Sequence, residues 1–293
     1  MKKKSFTRKI LPLLIVAASL AIFVFGFLFP NQEAMSGTGS AVPAYGIVEE
    51  SGQRSAEFTL LTYNVKICRN GTAIKQVAAQ IAETGAQIVF LQEIDYRLVR
   101  SFFTNQAKRL AAELDFHYAY FPALKAAGGL YGTAILSAFP LSNVNMTQLP
   151  VVGDIEPRAM GQADITVEGI SVRLFVTHLS AGSPESRLLQ FAEMRRAIDA
   201  APSGSFIFGG DFNERDNSVY AILGDVEKAH WDDKLPHYPW EVVIEDPSRY
   251  PSKIDNIFTD TSKRLFNTRI LPHNGLSDHN LVLTDVSIPL GEL

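Results

Sequence analysis

The sequence predicts one α/β domain behind an apolar N-terminal segment, and three observations carry that reading. Short β-rich runs alternate with helical stretches from Glu57 onward. A run of about twenty uncharged, mostly apolar residues, Ile10 to Phe29, stands apart at the N-terminus. The chain of 293 residues is 46% hydrophobic and 20% charged, which is enough apolar material for one sizeable core and does not suggest disorder.

The N-terminus comes first. At a rise of ~1.5 Å per residue the apolar run would span about 30 Å as a helix, the thickness of a bilayer core. Lys2, Lys3, Lys4, Arg8 and Lys9 precede it, with no acid among the first nine residues. That asymmetry predicts a single transmembrane helix with a cytoplasmic N-terminus and everything downstream outside. A cleaved signal peptide is the alternative; the nearest small-residue site, Val42-Pro43-Ala44, lies far downstream. Gly37 to Ser55, rich in Gly, Ser, Ala and Pro, reads as a flexible tether. The expected organisation is therefore a basic segment 1–9, an anchor 10–29, a linker 30–56 and a domain 57–293.

The β-rich runs are FTLLTYNV, AQIVFLQE, GTAILS, ISVRLFVTHL, SFIFGGDF and KIDNIF. Helices are predicted over Ala73–Thr84, Thr104–Leu114, Pro184–Ala200 and Asn217–Leu223. Ser183 serves as cap, with Pro184 at the first helical position. A single cysteine, Cys68, rules out an intramolecular disulfide and a cysteine-based zinc cluster. Setting aside the first nine residues leaves 22 cations against 31 acids, a net charge of −9. So acidic a domain lacks the general field of a non-specific nucleic-acid binder.

The polar residues that interrupt the apolar runs fall at strand ends. Asn64 closes the first run, Gln92-Glu93 the second, His178 another, and Asp211-Phe212-Asn213 the next. Asp255 opens a late strand, and Asp278-His279 precede the last. Carboxylates, amides and imidazoles at one edge of a sheet would converge on a single crevice. Taken singly each has a dull alternative, a turn residue or a hydrogen-bonded core histidine. Asp255 is harder to dismiss, because burying an unpaired carboxylate costs several kcal/mol.

Asn64 in TYN, Glu93 in LQE, Tyr131-Gly132-Thr133, His178 in THL, GGDFN, KIDNIF and SDH together resemble the endonuclease/exonuclease/phosphatase family in sequence and spacing, over about Glu57 to Ser287. The resemblance implies a four-layer α/β/β/α sandwich with two packed mixed β-sheets and an active site at one end. It implies a Mg²⁺ or Mn²⁺ ion held by Glu93, with Asn64 and Asp278 contributing, for which hard oxygen donors are suited. Asp211 would orient and deprotonate the attacking water, with Asn213 holding the phosphate or water beside it. His279, oriented by Asp255, would bind the phosphoryl oxygen, and His178 would be a second phosphate ligand or the acid toward the leaving group. Arg158 is a candidate phosphate clamp with a solvated surface arginine as the alternative; Tyr131 is a site-edge hydroxyl or an ordinary strand aromatic.

The expected activity is hydrolysis of phosphodiester or phosphomonoester bonds in lipid headgroups or small phosphoesters outside the cytoplasm. An anchored nuclease cleaving DNA or RNA is the alternative, and a non-catalytic binding module is a lesser one. No lipid-inserting segment stands out in the domain. The loop between Asp225 and Pro251, which holds both tryptophans, Trp231 and Trp240, could stack a base, touch a membrane or fill the core.

Overall fold

The computed structural model describes residues 31–50, 52–153, 156–201, 205–229 and 254–290. The anchor at 10–29 and most of the 225–251 loop, including both tryptophans, lie outside the described residues. Among the described residues no helix is long and apolar enough to cross a membrane.

Two mixed sheets form the centre. One has eight strands, in the order β1 (Met35–Gly37), β5 (His117–Ala126), β6 (Gly129–Ser137), β4 (Ile88–Tyr96), β3 (Gln53–Asn64), β14 (Leu281–Leu290) and β13 (Arg264–Leu271), with β2 (Gly46–Glu50) also paired to β3. The other has six: β11 (Val226–Lys228), β12 (Asp255–Asp260), β10 (Phe206–Asp211), β9 (Ile170–His178), β8 (Arg158–Val167) and β7 (Ser142–Leu149). Among the described strands only β3–β4 and β9–β10 run parallel. The helices are α1 (Ile74–Glu83), α2 (Gln106–Leu114) and α3 (Pro184–Asp199). Ser183 caps α3 by accepting from the Ser186 amide at 3.1 Å, as the Ser-Pro start predicts. Asn217–Leu223 forms a 3₁₀ helix.

Alternation along the strands sorts side chains into three apolar layers. Phe58, Leu60, Phe90, Ile135, Leu174, Val176, Ile207 and Ile257 fill the space between the sheets. On the outer face of the larger sheet, Leu61, Tyr63, Val89 and Leu91 pack with Ile74, Val77 and Ile81 of α1 and Leu110 of α2. Phe175, Phe208 and Phe258 on the other outer face meet Phe191, Met194 and Ile198 of α3. Helix, sheet, sheet and helix are thus stacked in four layers, as expected.

Gly209 is required by this packing. A Cβ there would lie 2.1 Å from Cδ2 of Phe90, so the bare backbone seats the phenyl ring of the opposite sheet. Gly209→Ala is expected to cost about 1–3 kcal/mol through overpacking, measured by chemical denaturation; an unchanged midpoint would refute this close approach.

The tether is corrected. Met35–Gly37 pairs with Tyr118–Tyr120, and Gly46–Glu50 and Gln53–Glu57 join the larger sheet as β2 and the start of β3. The reason lies in what the small residues do. A Cβ at Gly39 would fall 2.3 Å from the Asp115 carbonyl oxygen, so this glycine permits close approach rather than flexibility. Ser40 then donates its amide to that same carbonyl at 3.1 Å.

Candidate active site

The inward alternation that builds the core continues past it into polar residues. Two residues beyond Val176 in β9 stands His178. Beyond Ile207 and Gly209 in β10 stands Asp211. Beyond Leu60 in β3 come Thr62 and Asn64, and Asp255 lies two residues before Ile257 in β12. Strand pairing aligns these ends. Asp211 pairs with His178 on one side and with Asp255 on the other, and Asn64 pairs with Gln92. One end of the sandwich therefore gathers residues that lie far apart in the chain.

Glu93 reaches the cluster through a bulge. The β4–β6 register shifts between Leu91 and Ile94, and Glu93 adopts a left-handed φ of 59°. Such strain at a non-glycine residue costs about 1–3 kcal/mol and re-aims a side chain. Asn64 links the two sheets: its Nδ2 donates to Glu93 Oε1 at 3.1 Å and to Asp211 Oδ2 at 3.2 Å. Its Oδ1 accepts the Lys66 amide at 3.1 Å.

Asp211 is the hub. Besides Asn64, its Oδ1 accepts the Asn213 amide at 3.0 Å. Its Oδ2 lies 3.4 Å from His178 Nε2 and 3.7 Å from His279 Nε2. The carboxylate is 1% exposed. Burial first, and the neighbouring Asp255 second, push its pKa up to about 7.

The two histidines differ in charge. Burial, with Arg158 and His279 nearby, holds His178 well below the ordinary imidazole value, so it is neutral. Arg158 Nη1 sits 3.1 Å from His178 Nδ1, and a guanidinium can only donate. The proton of His178 is therefore on Nε2, facing Asp211. Burial also disfavours a charged His279, but Asp255, then Asp211 and Asp278, outweigh it and raise the pKa to about 10. Asp255 Oδ2 accepts from His279 Nδ1 at 2.8 Å, which fixes the ring and keeps it an imidazolium.

The remaining expected residues are also placed. Arg158 is 7% exposed and pairs with Glu156 at 2.8 Å, so it is a buried site residue and not a solvated surface arginine. Tyr131 is buried beneath the Arg100 guanidinium, 5.4 Å from the ring centroid, and burial followed by the charge of Glu93 raises its phenol pKa. Asp278 is paired with Lys66. Asn213, with φ of 48°, spends its Nδ2 on the Leu179 carbonyl at 3.0 Å, so it anchors the end of β10.

For a metal, two arrangements bear on the question. Atoms of Asp211, Asp255 and His279 lie within 4.8 Å of one another. With His279 held as an imidazolium on Asp255, that group suits proton handling better than ligation. Glu93 is the better ligand. Burial raises its pKa first, and Asp278 is near enough to raise it further. A cation between two repelling carboxylates would relieve both, and their oxygens are hard donors. Glu93 opens on a cleft of about 580 Å³ lined also by Lys66, Arg69 and Ser277.

Lys66 and the pair Arg100–Asp95, whose bonds are 2.8 and 2.9 Å, were not singled out in the sequence, and Thr133 stood there only within the motif Tyr131-Gly132-Thr133. Thr133 Oγ1 in β6 and Asp255 Oδ1 are buried without a hydrogen-bond partner, and the second leaves polar capacity in the site. Lys66 could have been suspected from its place two residues after Asn64; nothing near Arg100 signalled its role.

Comparison with known proteins agrees with this geometry. The curated relatives include tyrosyl-DNA phosphodiesterase 2 of Xenopus tropicalis, 24% identical over 236 residues that cover 75% of this chain and 60% of the relative. The chain thus spans about 60% of the length of the curated relatives it matches. An endonuclease/exonuclease/phosphatase from Bacteroides vulgatus superposes with a TM-score of 0.61 at 20% identity, covering 79% of this chain and 99% of that one. D. rerio TDP2 complexed with single strand DNA product gives 0.57 at 17% identity, covering 78% and 98%. These structural likenesses show the fold. A model of the Endonuclease/Exonuclease/phosphatase family matches residues 61–279, three quarters of the chain. The chain belongs to the Endonuclease/Exonuclease/phosphatase family.

Proposed function

We propose that the protein is a divalent-metal-dependent phosphoesterase that hydrolyses lipid headgroups or small phosphoesters outside the cytoplasm, anchored by residues 10–29. The observation that carries the chemistry is Asp211, buried yet ringed by Asn64, neutral His178 and the imidazolium of His279. Glu93, with Asn64 and Asp278, would hold Mg²⁺ or Mn²⁺, which supplies charge neutralisation at the phosphoryl group and favours a nucleophilic water.

The residues of the chain divide the remaining work. Asp211, its proton affinity lifted toward neutrality, accepts a proton from the attacking water. His279 donates a charged hydrogen bond to a phosphoryl oxygen, and Asp255 keeps the donor aligned. His178 donates from Nε2, with its tautomer fixed by Arg158. Arg158 adds positive charge where the phosphoryl group would lie.

The acidic domain and the apolar N-terminus support a lipid or small-molecule substrate over nucleic acid. One observation favours the second reading, nucleic-acid phosphodiester hydrolysis: the matched relatives are tyrosyl-DNA phosphodiesterases. Under either reading a chelator is expected to abolish turnover, and Mg²⁺ or Mn²⁺ to restore it. Turnover of a bis-aryl phosphodiester that persists after chelation would refute the metal assignment.

A further inference from the structure

Residues 31–37 dock on β5, which fixes the end of the sandwich at which the described chain begins. β1 runs antiparallel to β5, with Met35 opposite Tyr120 and Gly37 opposite Tyr118. Traced backward, the chain therefore moves toward the far end of β5, where Gln32 Nε2 donates to the Ala123 carbonyl at 2.6 Å. That far end is the catalytic end. Leu124 pairs with Tyr131, Tyr131 pairs with Asp95, and Gln32 shares a cleft of about 450 Å³ with Glu156 and Pro157, next to Arg158. Only Pro30 and Asn31 separate Phe29 from docked Gln32, a reach of about 10 Å at full extension.

The same end carries an apolar projection. Between β4 and α2, Val99 is 60% exposed and Phe102 70% exposed. Arg97, Phe102 and Phe103 hold left-handed backbone conformations there. Gly71 of the neighbouring loop abuts Ser101, where an added Cβ would lie 3.2 Å from its Cα. That neighbouring loop is itself an unusual left-handed turn, Lys66 to Asn70, with five successive positive φ values. Together the loops 65–73 and 97–105 hold Lys66, Arg69, Arg97 and Arg100 and no acid of their own; Lys66 pairs with Asp278 and Arg100 with Asp95, while Arg69 is exposed.

We propose that the catalytic end of the domain lies directly against a lipid bilayer, with Val99 and Phe102 entering its interfacial layer and exposed Arg69 of the neighbouring loop meeting anionic headgroups. Exposed apolar side chains beside a cation suit an anionic lipid surface, and an anchor at residues 10–29, joined through Pro30 and Asn31 to Gln32 at this end, would supply the means of holding the domain there. The inference rests on residues 10–29 being a membrane anchor and is independent of which phosphoester is cleaved. It replaces a free tether with a domain whose orientation is set by β1 on β5.

The test uses the full chain in nanodiscs of mixed phosphatidylglycerol and phosphatidylethanolamine. A nitroxide is attached at Phe102→Cys, at Val99→Cys and, as a control at the opposite end of β3, at Glu50→Cys; native Cys68 is buried. The expected result is loss of access to a water-soluble nickel chelate and gain of access to oxygen at positions 102 and 99, with position 50 remaining aqueous. Equal chelate access at 99, 102 and 50 would overturn the proposal. So would protection of 102 by a single-stranded oligonucleotide but not by lipid, which would make the projection a base-stacking surface. Hydrolysis of a soluble bis-aryl phosphodiester by the same samples separates the two readings. Turnover with aqueous labels overturns the docking surface alone, whereas inserted labels without metal-dependent turnover leave docking standing and overturn the phosphoesterase reading.

Discussion

Asp211→Asn is expected to lower kcat/KM by about three orders of magnitude or more while leaving the fold intact. General-base catalysis contributes about 10²–10⁴-fold, and Asp211 also organises Asn64, His178 and Asn213 around one carboxylate. Asparagine matches its volume and keeps one accepting oxygen, so the loss reports chemistry and not collapse. Stability moves the other way. The folded carboxyl keeps its proton up to about 7, because it is buried beside Asp255, whereas the unfolded chain releases it near 3.8. Native Asp211 therefore costs stability progressively as pH rises from about 4 to about 7. Above pH 7 the metal-free Asp211→Asn protein should melt at a higher temperature than wild type, and near pH 3 the difference should vanish. A variant both inactive and less stable at pH 8 would mean that Asp211 is a structural residue.

Asp255→Asn should produce the second large effect, about 10²-fold in kcat/KM, together with a displaced pH profile. Asp255 is the leading reason that His279 stays charged despite burial, with its pKa raised to about 10. In wild type the alkaline limb governed by His279 should therefore lie near pH 10, and without Asp255 it should move down toward the ordinary imidazole range. The stability linkage has a matching sign. A histidine raised from 6.5 to about 10 contributes stability that is complete below 6.5 and is lost as pH rises through 10. A profile unmoved by Asp255→Asn would show that His279 does not act as an imidazolium.

The catalytic end was legible because function interrupts pattern. In β9 the inward series Val172, Leu174, Val176 ends on His178, and in β10 Ile207 leads through Gly209 to Asp211. Each polar residue breaks an apolar alternation at the point where the core stops, and the family resemblance gave the order in which they recur. Several features left no comparable trace. β7 is a largely exposed edge strand of sequence SNVNMTQL, whose polar residues hide its period. The tether reading failed at Gly39, since a glycine needed for close approach and one needed for flexibility look alike in a sequence. Arg158 could be told from a surface arginine only once Glu156 and His178 were found on its guanidinium. The bulge that turns Glu93 inward depends on β6, more than thirty residues downstream.

Under the proposed function, this end of the sandwich hydrolyses phosphoesters through Asp211 with a divalent metal. The most direct test assays the full chain and Asp211→Asn in parallel with Mg²⁺ or Mn²⁺, against phospholipids, single-stranded DNA, RNA and a bis-aryl phosphodiester. Metal-dependent release of a headgroup or small phosphate is expected from the wild type and should be lost in Asp211→Asn. Cleavage of nucleic acid alone would replace the substrate reading with the nuclease one. Turnover that survives Asp211→Asn would remove Asp211 from the chemistry, and a folded wild type that leaves every phosphoester intact would overturn the phosphoesterase function.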